Sequence, residues 1–425
     1  MAADTLSDSA GERREPTRVE SVFREVYGQA VATLVRVFGD ITVAEDAVQD
    51  AFAVASERWK IDGIPPNPAG WIITTARNRA IDQVRRSAKG RQLTDQLAVA
   101  DTVSDVPGSD EWAEQWDTEG AVSDDQLRLI FTCCHPALRT EHQVALTLRL
   151  LGGLTVDEVA RSFLVSEPAM AKRLVRAKYK IKAANIPYRV PADADLPERL
   201  RSVLSVIYLI YNTGVDHPER AELRTEALRL SRALVALMPD EPEAAGLLAL
   251  MLLNESRVPA RTVDGQIVRL ADQDRSMWDR IMIEEGHAIV RACIRRNSPG
   301  PFQLQAAIQA VHCNAESIEA TDWKQIVQLY DDLLRVMPTP IVELNRAIAV
   351  GEIAGAAAAL AALEAVTADL DSYHLMHAAR GTMLRRLGRT DESVLAFERA
   401  ADLASTESDR FYLQEQIKEI VTSLG

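Results

Sequence analysis

Aromatic side chains make up only 5% of this chain, and its 425 residues include just 4 cysteines and 7 histidines. So few cysteines, without a framework spacing, exclude a disulfide scaffold and fit a reducing compartment. No apolar run reaches the length of a bilayer span, and residues 1–18 are polar, with charges of both signs and no apolar stretch of a leader. The chain is therefore read as cytoplasmic, with no membrane partner. It has no glycine-rich phosphate loop and no nucleophile triad, so neither an enzyme nor a cofactor is expected. β-branched residues seldom alternate with polar ones, while Ala, Leu and Arg are frequent, which predicts an all-α fold. Positive charge is in deficit: 48 Lys and Arg against 62 Asp and Glu leave a net −14, which alone argues against nucleic acid.

Placement reverses that argument. Between Trp71 and Arg91 there are six basic residues (Arg77, Arg79, Arg85, Arg86, Lys89, Arg91) against one acid, Asp82. Between Ala171 and Lys182 there are six more (Lys172, Arg173, Arg176, Lys178, Lys180, Lys182) and no acid. Separating them, Asp101–Asp125 holds nine acids and no Lys or Arg. Two basic helices in an acidic whole fit a protein that touches DNA at two points without coating it.

The stretch from Asn67 to Arg86, read at about 100° per residue, becomes a helix with two unlike faces. Ile72, Ile73, Ala76, Ala80, Ile81 and Val84 form an apolar arc. Opposite lie Thr74, Thr75, Asn78, Arg79, Asp82, Arg85 and Arg86, together with the indole of Trp71. An aromatic ring among cationic and hydrogen-bonding groups suits single-stranded nucleic acid, with bases stacking on the ring. The alternative is a solvated face whose Trp71 is covered by a neighbouring loop.

In chain order, residues 1–18 read as a disordered arm and 19–88 as a first helical domain. There Thr42–Glu45 is a capping box for a helix showing Ala47, Val48, Ala51, Phe52 and Ala55 inward and Glu45, Asp46, Gln49, Asp50 and Glu57 outward. Residues 89–122 read as a flexible acidic linker. Residues 123–186 hold helices opened by Ser123, by the Thr140–Gln143 and Thr155–Glu158 boxes and by Ser166. The last two have helix-turn-helix spacing, with Met170, Leu174, Ala177 and Ile181 inward and Pro168, Lys172, Val175, Arg176, Tyr179 and Lys182 outward. From 187 to 425 helix follows helix. Leu234–Pro239 and Leu333–Pro338 repeat a phrase about three tetratricopeptide (TPR) repeats apart. Gly381, Leu384, Gly388, Phe397 and Ala400 match that repeat, with Ser393 where Ala is usual. A C-terminal α-solenoid is expected.

With these residues in view, the first 185 positions resemble the extracytoplasmic-function (ECF) sigma factors, σ70-type initiation subunits of RNA polymerase. Glu45, Asp46, Gln49, Asp50 and Phe52 are similar to the family's region 2.2, which implies contact with core polymerase through its β′ clamp helices. Trp71, Thr74, Thr75, Asn78, Arg79, Asp82, Arg85 and Arg86 are similar to regions 2.3 and 2.4, which open and read the −10 element. Leu154–Ala160 with Pro168, Ala169, Lys172, Arg173, Arg176 and Lys178 is similar to region 4.2, which reads the −35 element. Pro168-Ala169-Met170 departs from the Thr, Asn or Ser usual there. The resemblance also implies that the acidic linker threads the RNA-exit path with the β subunit nearby. The remainder resembles the long extension of one subgroup, on Tyr208–Asn212, Asp272–Trp278, Gly300–Gln305 and Val342–Arg346. It implies regulation by that extension, including an intramolecular contact with the sigma domains.

Other readings are a helix-turn-helix repressor with a ligand-sensing solenoid and a protein-interaction scaffold. Cys133-Cys134-His135 contains zinc-ligating types, but adjacent cysteines suit one tetrahedral site badly and no fourth ligand is near, so no metal is expected. His374 and His377 have no third partner. Asp272-Gln-Asp274-Arg275 reads as local capping or salt bridging.

Overall fold

The computed structural model describes residues 18–90, 119–163, 165–216, 220–263, 266–404 and 406–422. The expected arm lies outside these residues, as does nearly all of the expected linker. The chain divides into two compact units, residues 1–226 and 227–425. Every described element is helical apart from a two-residue antiparallel ladder, Thr262–Val263 with Gln266–Ile267.

The first unit opens with α1 (Arg18–Phe38), α2 (Ile41–Asp62) and α3 (Pro68–Gly90). Ala47, Val48, Ala51, Phe52 and Ala55 of α2 and Ile72, Ile73, Ala76 and Ala80 of α3 are buried as expected, together with Val26, Ala30 and Leu34 of α1, while Ile81 and Val84 at the end of the α3 arc are half-buried. Helix α2 starts differently from expectation. Asp40, not Thr42, caps it, its carboxylate accepting from the Thr42 and Val43 amides. The expected capping-box partner, Glu45, turns inward and is 5% exposed.

Next come α4 (Glu119–Cys133), α5 (Thr140–Leu146), which continues as a π-helical turn Thr147–Leu151, then α6 (Val156–Ser162) and α7 (Glu167–Ala183). Helix α4 begins before the expected cap at Ser123. Asp125, counted in the acid run, is buried and accepts from Arg36 at 2.8 Å. The Thr140 box does not form, because the Gln143 side chain donates instead to the carbonyls of His135 and Leu138. The Thr155–Glu158 box does form in both directions. Ser166 precedes α7 without a side-chain cap, and Met170, Leu174, Ala177 and Ile181 are buried as its spacing requires.

Helix α8 (Leu196–Asp216) belongs to this first unit. The expected division at 186/187 therefore does not coincide with the division between compact units. Tyr188 has its hydroxyl 2.6 Å from the Ala32 carbonyl, and Arg199 donates to the Phe131 carbonyl at 2.5 Å, so the segment is tied to the helices before it.

In the second unit α10 (Pro242–Glu255) packs on α12 (Arg280–Arg296) and α13 (Pro301–Asn314), with α9 (Ala221–Leu237) entering from the first unit and a single turn, α11 (Val258–Arg261), following α10. From there α14 (Trp323–Val336), α15 (Pro340–Ala354), α16 (Ala356–Glu364), α17 (His374–Arg386), α18 (Thr390–Leu403) and α19 (Glu407–Thr422) each pack on their chain neighbours, as in an α-solenoid. The pair α17 and α18 is the TPR-like unit. A Cβ on Gly381 would stand 3.1 Å from the Phe397 ring, and Ser393, wholly buried, donates its hydroxyl to the Gly381 carbonyl at 2.8 Å.

Asp272–Trp278 is a structural knot. Asp272 pairs with Arg269, Asp274 caps a 3-10 turn at Ser276, and Arg275 lies 4.6 Å from the Trp278 ring while donating to the His312 and Ala315 carbonyls.

Candidate nucleic-acid interface

Helix α3 is set by its own first turn: the Asn67 side chain accepts from the Gly70 amide at 2.9 Å, and Pro68 occupies the first helical position. Its buried arc faces α1 and α2, which leaves the polar arc outward. Asn78, Arg79, Asp82 and Arg85 are exposed, and Thr74 and Thr75 are half-buried. The Arg86 side chain lies outside the described residues. Beside this face an open cleft of about 850 Å³ is lined by Asp46, Gln49 and Asp50 of α2 and by Thr75, Asn78, Arg79, Asp82 and Gln83 of α3. Arg79 reaches Asp50 at 3.5 Å across it. Thus three of the residues assigned by sequence to polymerase and four of those assigned to the −10 element meet along one cleft.

Trp71 is not free-standing. Its ring meets Trp59 of α2 edge-on at 5.4 Å between centroids, and the side chain is half-buried. Trp59 is buried and forms the floor. An indole braced by a buried neighbour is held in place with little freedom left to lose on stacking.

The five α2 candidates separate. Asp46, Gln49 and Asp50 are exposed, whereas Glu45 and Phe52 are buried. Phe52 packs 4.5 Å from Phe23. Glu45 meets Arg149 at 2.6 Å and Lys178 at 2.8 Å. Partial desolvation, then the charge of Glu45, raises the Asp46 carboxyl above its ordinary value.

The α7 candidates separate likewise. Pro168, Ala169, Lys172 and Arg176 are exposed on one face, with Val175 at 62% and Tyr179 at 71% exposure beside them. Arg173 is half-buried, its guanidinium 5.1 Å over the Phe163 ring and 4.0 Å from Glu141. Lys178 is the exception, turned to Glu45. The residue that sequence reasoning missed is Arg149. A single arginine inside Leu146-Thr-Leu-Arg-Leu-Leu151 was the available signal, since a guanidinium in an apolar run needs a buried partner.

The cysteine and histidine motifs go elsewhere. All four cysteines are buried and reduced; burial pushes the Cys134 thiol up to about 12, and its sulfur lies 3.5 Å from the Thr147 hydroxyl. His377 bonds the Asp371 carbonyl, while His374 faces Asp409 at 4.0 Å. Among the described residues no three His, Cys, Asp or Glu side chains are grouped to hold a metal ion, and no helix is long and apolar enough to cross a membrane.

Comparison with known proteins matches these same segments. Residues 22–90 match Sigma-70 region 2, residues 128–181 match Sigma-70 region 4, and residues 199–294 match a family of unknown function, DUF6596. An uncharacterized protein of Rhizobium meliloti (strain 1021) is 44% identical over 92% of this chain and 93% of its own. The ECF RNA polymerase sigma factor SigK of Mycobacterium ulcerans (strain Agy99) is 26% identical over 35% of this chain and 73% of its own. SigL, an ECF RNA polymerase sigma factor of Mycobacterium tuberculosis (strain ATCC 25618 / H37Rv), is 26% identical over 39% of this chain and 88% of its own. A crystal structure of a TPR domain overlaps 88% of this chain and 98% of that one at 10% identity, with a TM-score of 0.26 that carries no weight. Region 2 and region 4, in this order and followed by a predominantly helical extension, place the chain in the σ70 family as an ECF RNA polymerase sigma factor whose C-terminal part contains the TPR-like helix pair α17 and α18.

Proposed function

We propose that the chain docks on the β′ clamp helices of core RNA polymerase through the exposed acids of α2 and melts promoter DNA on the adjoining face of α3. Asp46, Gln49 and Asp50 supply the polymerase contact. Trp71, braced by Trp59, wedges at the edge of the duplex and stacks on the displaced strand. Arg79 and Arg85 hold phosphates, while Asn78 and Asp82 contact base edges. Stacking on an indole contributes about 1–3 kcal/mol per base, comparable to the cost of unstacking one step. On α7, Lys172 and Arg176 grip the −35 element, with Pro168 and Ala169 at the groove-facing start. The C-terminal extension, residues 187–425, regulates these steps.

The observation that carries this reading is the shared cleft, in which Asp46, Gln49 and Asp50 of α2 stand beside Thr75, Asn78, Arg79 and Asp82 of α3. A repressor has no use for that adjacency. Permanganate reactivity of promoter thymines, measured with purified chain and core polymerase together, tests it: a reactive bubble is expected with both and absent with either alone. A chain that protects duplex DNA without polymerase and opens nothing would favour the repressor.

A further inference from the structure

Two of the stretches on which the extension's resemblance rests, Asp272–Trp278 and Val342–Arg346, flank a cavity in the second unit that the sigma-factor reading does not use. Its volume is about 650 Å³, within the range of small-molecule sites. Helix α13 brings His312 to it, α14 brings Trp323 and Tyr330, α15 brings Asn345 and Glu352, and α17 ends there in Arg386.

His312 is the unusual group. It is 8% exposed, its carbonyl accepts from Arg275 at 2.9 Å, and among the described residues its Nδ1 has no hydrogen-bond partner. Burial, with Arg257 and Arg275 nearby, keeps the imidazole neutral, so this nitrogen is a hydrogen-bonding atom rather than part of a cation. A buried polar atom left unpaired is costly, and a ligand that pairs it removes the cost. The ring stands 5.3 Å from that of Trp323, edge to face, and Tyr330 follows two helical turns along the same face of α14. Two such aromatic walls suit a flat ring system. Charge on the lining is already answered: Arg386 pairs with Glu352 at 2.7 Å and Arg269 with Asp272 at 2.7 Å, which leaves neither arginine for a phosphate or carboxylate. Asn345 is exposed and presents a carbonyl and an amide side by side, the pattern that reads a base edge with one donor and one acceptor.

We propose that this cavity binds a neutral purine, as the free base or its nucleoside. The ring system lies against Trp323 and Tyr330, Asn345 meets its polar edge, and His312 Nδ1 bonds one of its polar atoms. The site stands apart from the function proposed above, since all its groups belong to the second unit.

Calorimetric titration of the full chain tests it, with adenine, adenosine and guanosine as probes and indole and adenosine monophosphate as controls. At least one purine should bind one-to-one with micromolar affinity and raise the unfolding transition of the second unit. Indole lacks the polar edge and the monophosphate brings unanswered charge, so each should bind at least about tenfold more weakly. The tighter of adenine and adenosine shows whether base or nucleoside is the natural form. Asn345→Leu changes an exposed side chain, and His312→Phe keeps the ring contact with Trp323; each should weaken purine binding about tenfold, the worth of one hydrogen bond. In chain isotopically labelled at histidine, the imidazole signal missing from His312→Phe should move when purine is added. No binding of any of the three purines, a control that binds as tightly as they do, or purine affinity unchanged by Asn345→Leu would each overturn the proposal. The last of these decides even if His312→Phe fails to fold.

Discussion

Trp71 and His312 show how one side chain's surroundings set its use. Trp71 rests edge-on against Trp59 and stays half-buried. Replacing it with Ala should cut promoter opening by roughly 10–100-fold, from the stacking energy of about 1–3 kcal/mol, with core affinity nearly unchanged. Permanganate reactivity beside a core-binding titration separates the two; equal loss of both would place Trp71 in the fold alone. His312 is buried against Trp323, 5.3 Å between ring centres. Burial, then Arg257 and Arg275, holds its imidazole down at about 4 against an ordinary 6.5. Between those values the unfolded chain binds a proton that the folded chain refuses. The second unit should therefore lose stability as pH falls from about 6.5 to about 4, by roughly 2–4 kcal/mol. His312→Phe keeps the ring contact and should flatten that part of the denaturation profile.

At the level of elements, the closest packing lies where small residues stand. Gly381→Val would push into Phe397 between α17 and α18 and should cost about 1–3 kcal/mol, read as a lower melting temperature of the second unit. Helix periodicity was legible: the predicted inward residues of α2 and α7 and most of those of α3 are buried, and so are the TPR-like positions Gly381, Leu384, Phe397 and Ala400. Caps were less so. Asp40 took the place expected of Thr42, and Gln143 left its box for neighbouring carbonyls, because tertiary partners compete with local ones. Glu45 is the clearest miss. Helical spacing puts it next to Asp46 on an acidic face, and its partners Arg149 and Lys178, each more than a hundred positions away, explain why it is buried.

For the whole molecule, the compact units depart from the sequence domains because α8 is fastened to the helices of region 4. Cutting at Pro187 removes Tyr188, Arg199 and the buried face of α8, so the remaining sigma domains should melt lower, by about 2–4 °C per kcal/mol lost. A chain ending after Met238 retains those contacts and should melt as the first unit does in the full protein. The most direct measurement of the central claim is reconstituted initiation: full-length chain, core polymerase and a library of promoter-length duplexes, read as specific transcripts. The account predicts transcripts from a subset sharing −10 and −35 elements, at a level that Trp71→Ala and the double change of Lys172 and Arg176 to Ala both depress. Transcription no different from that of core polymerase alone would contradict it.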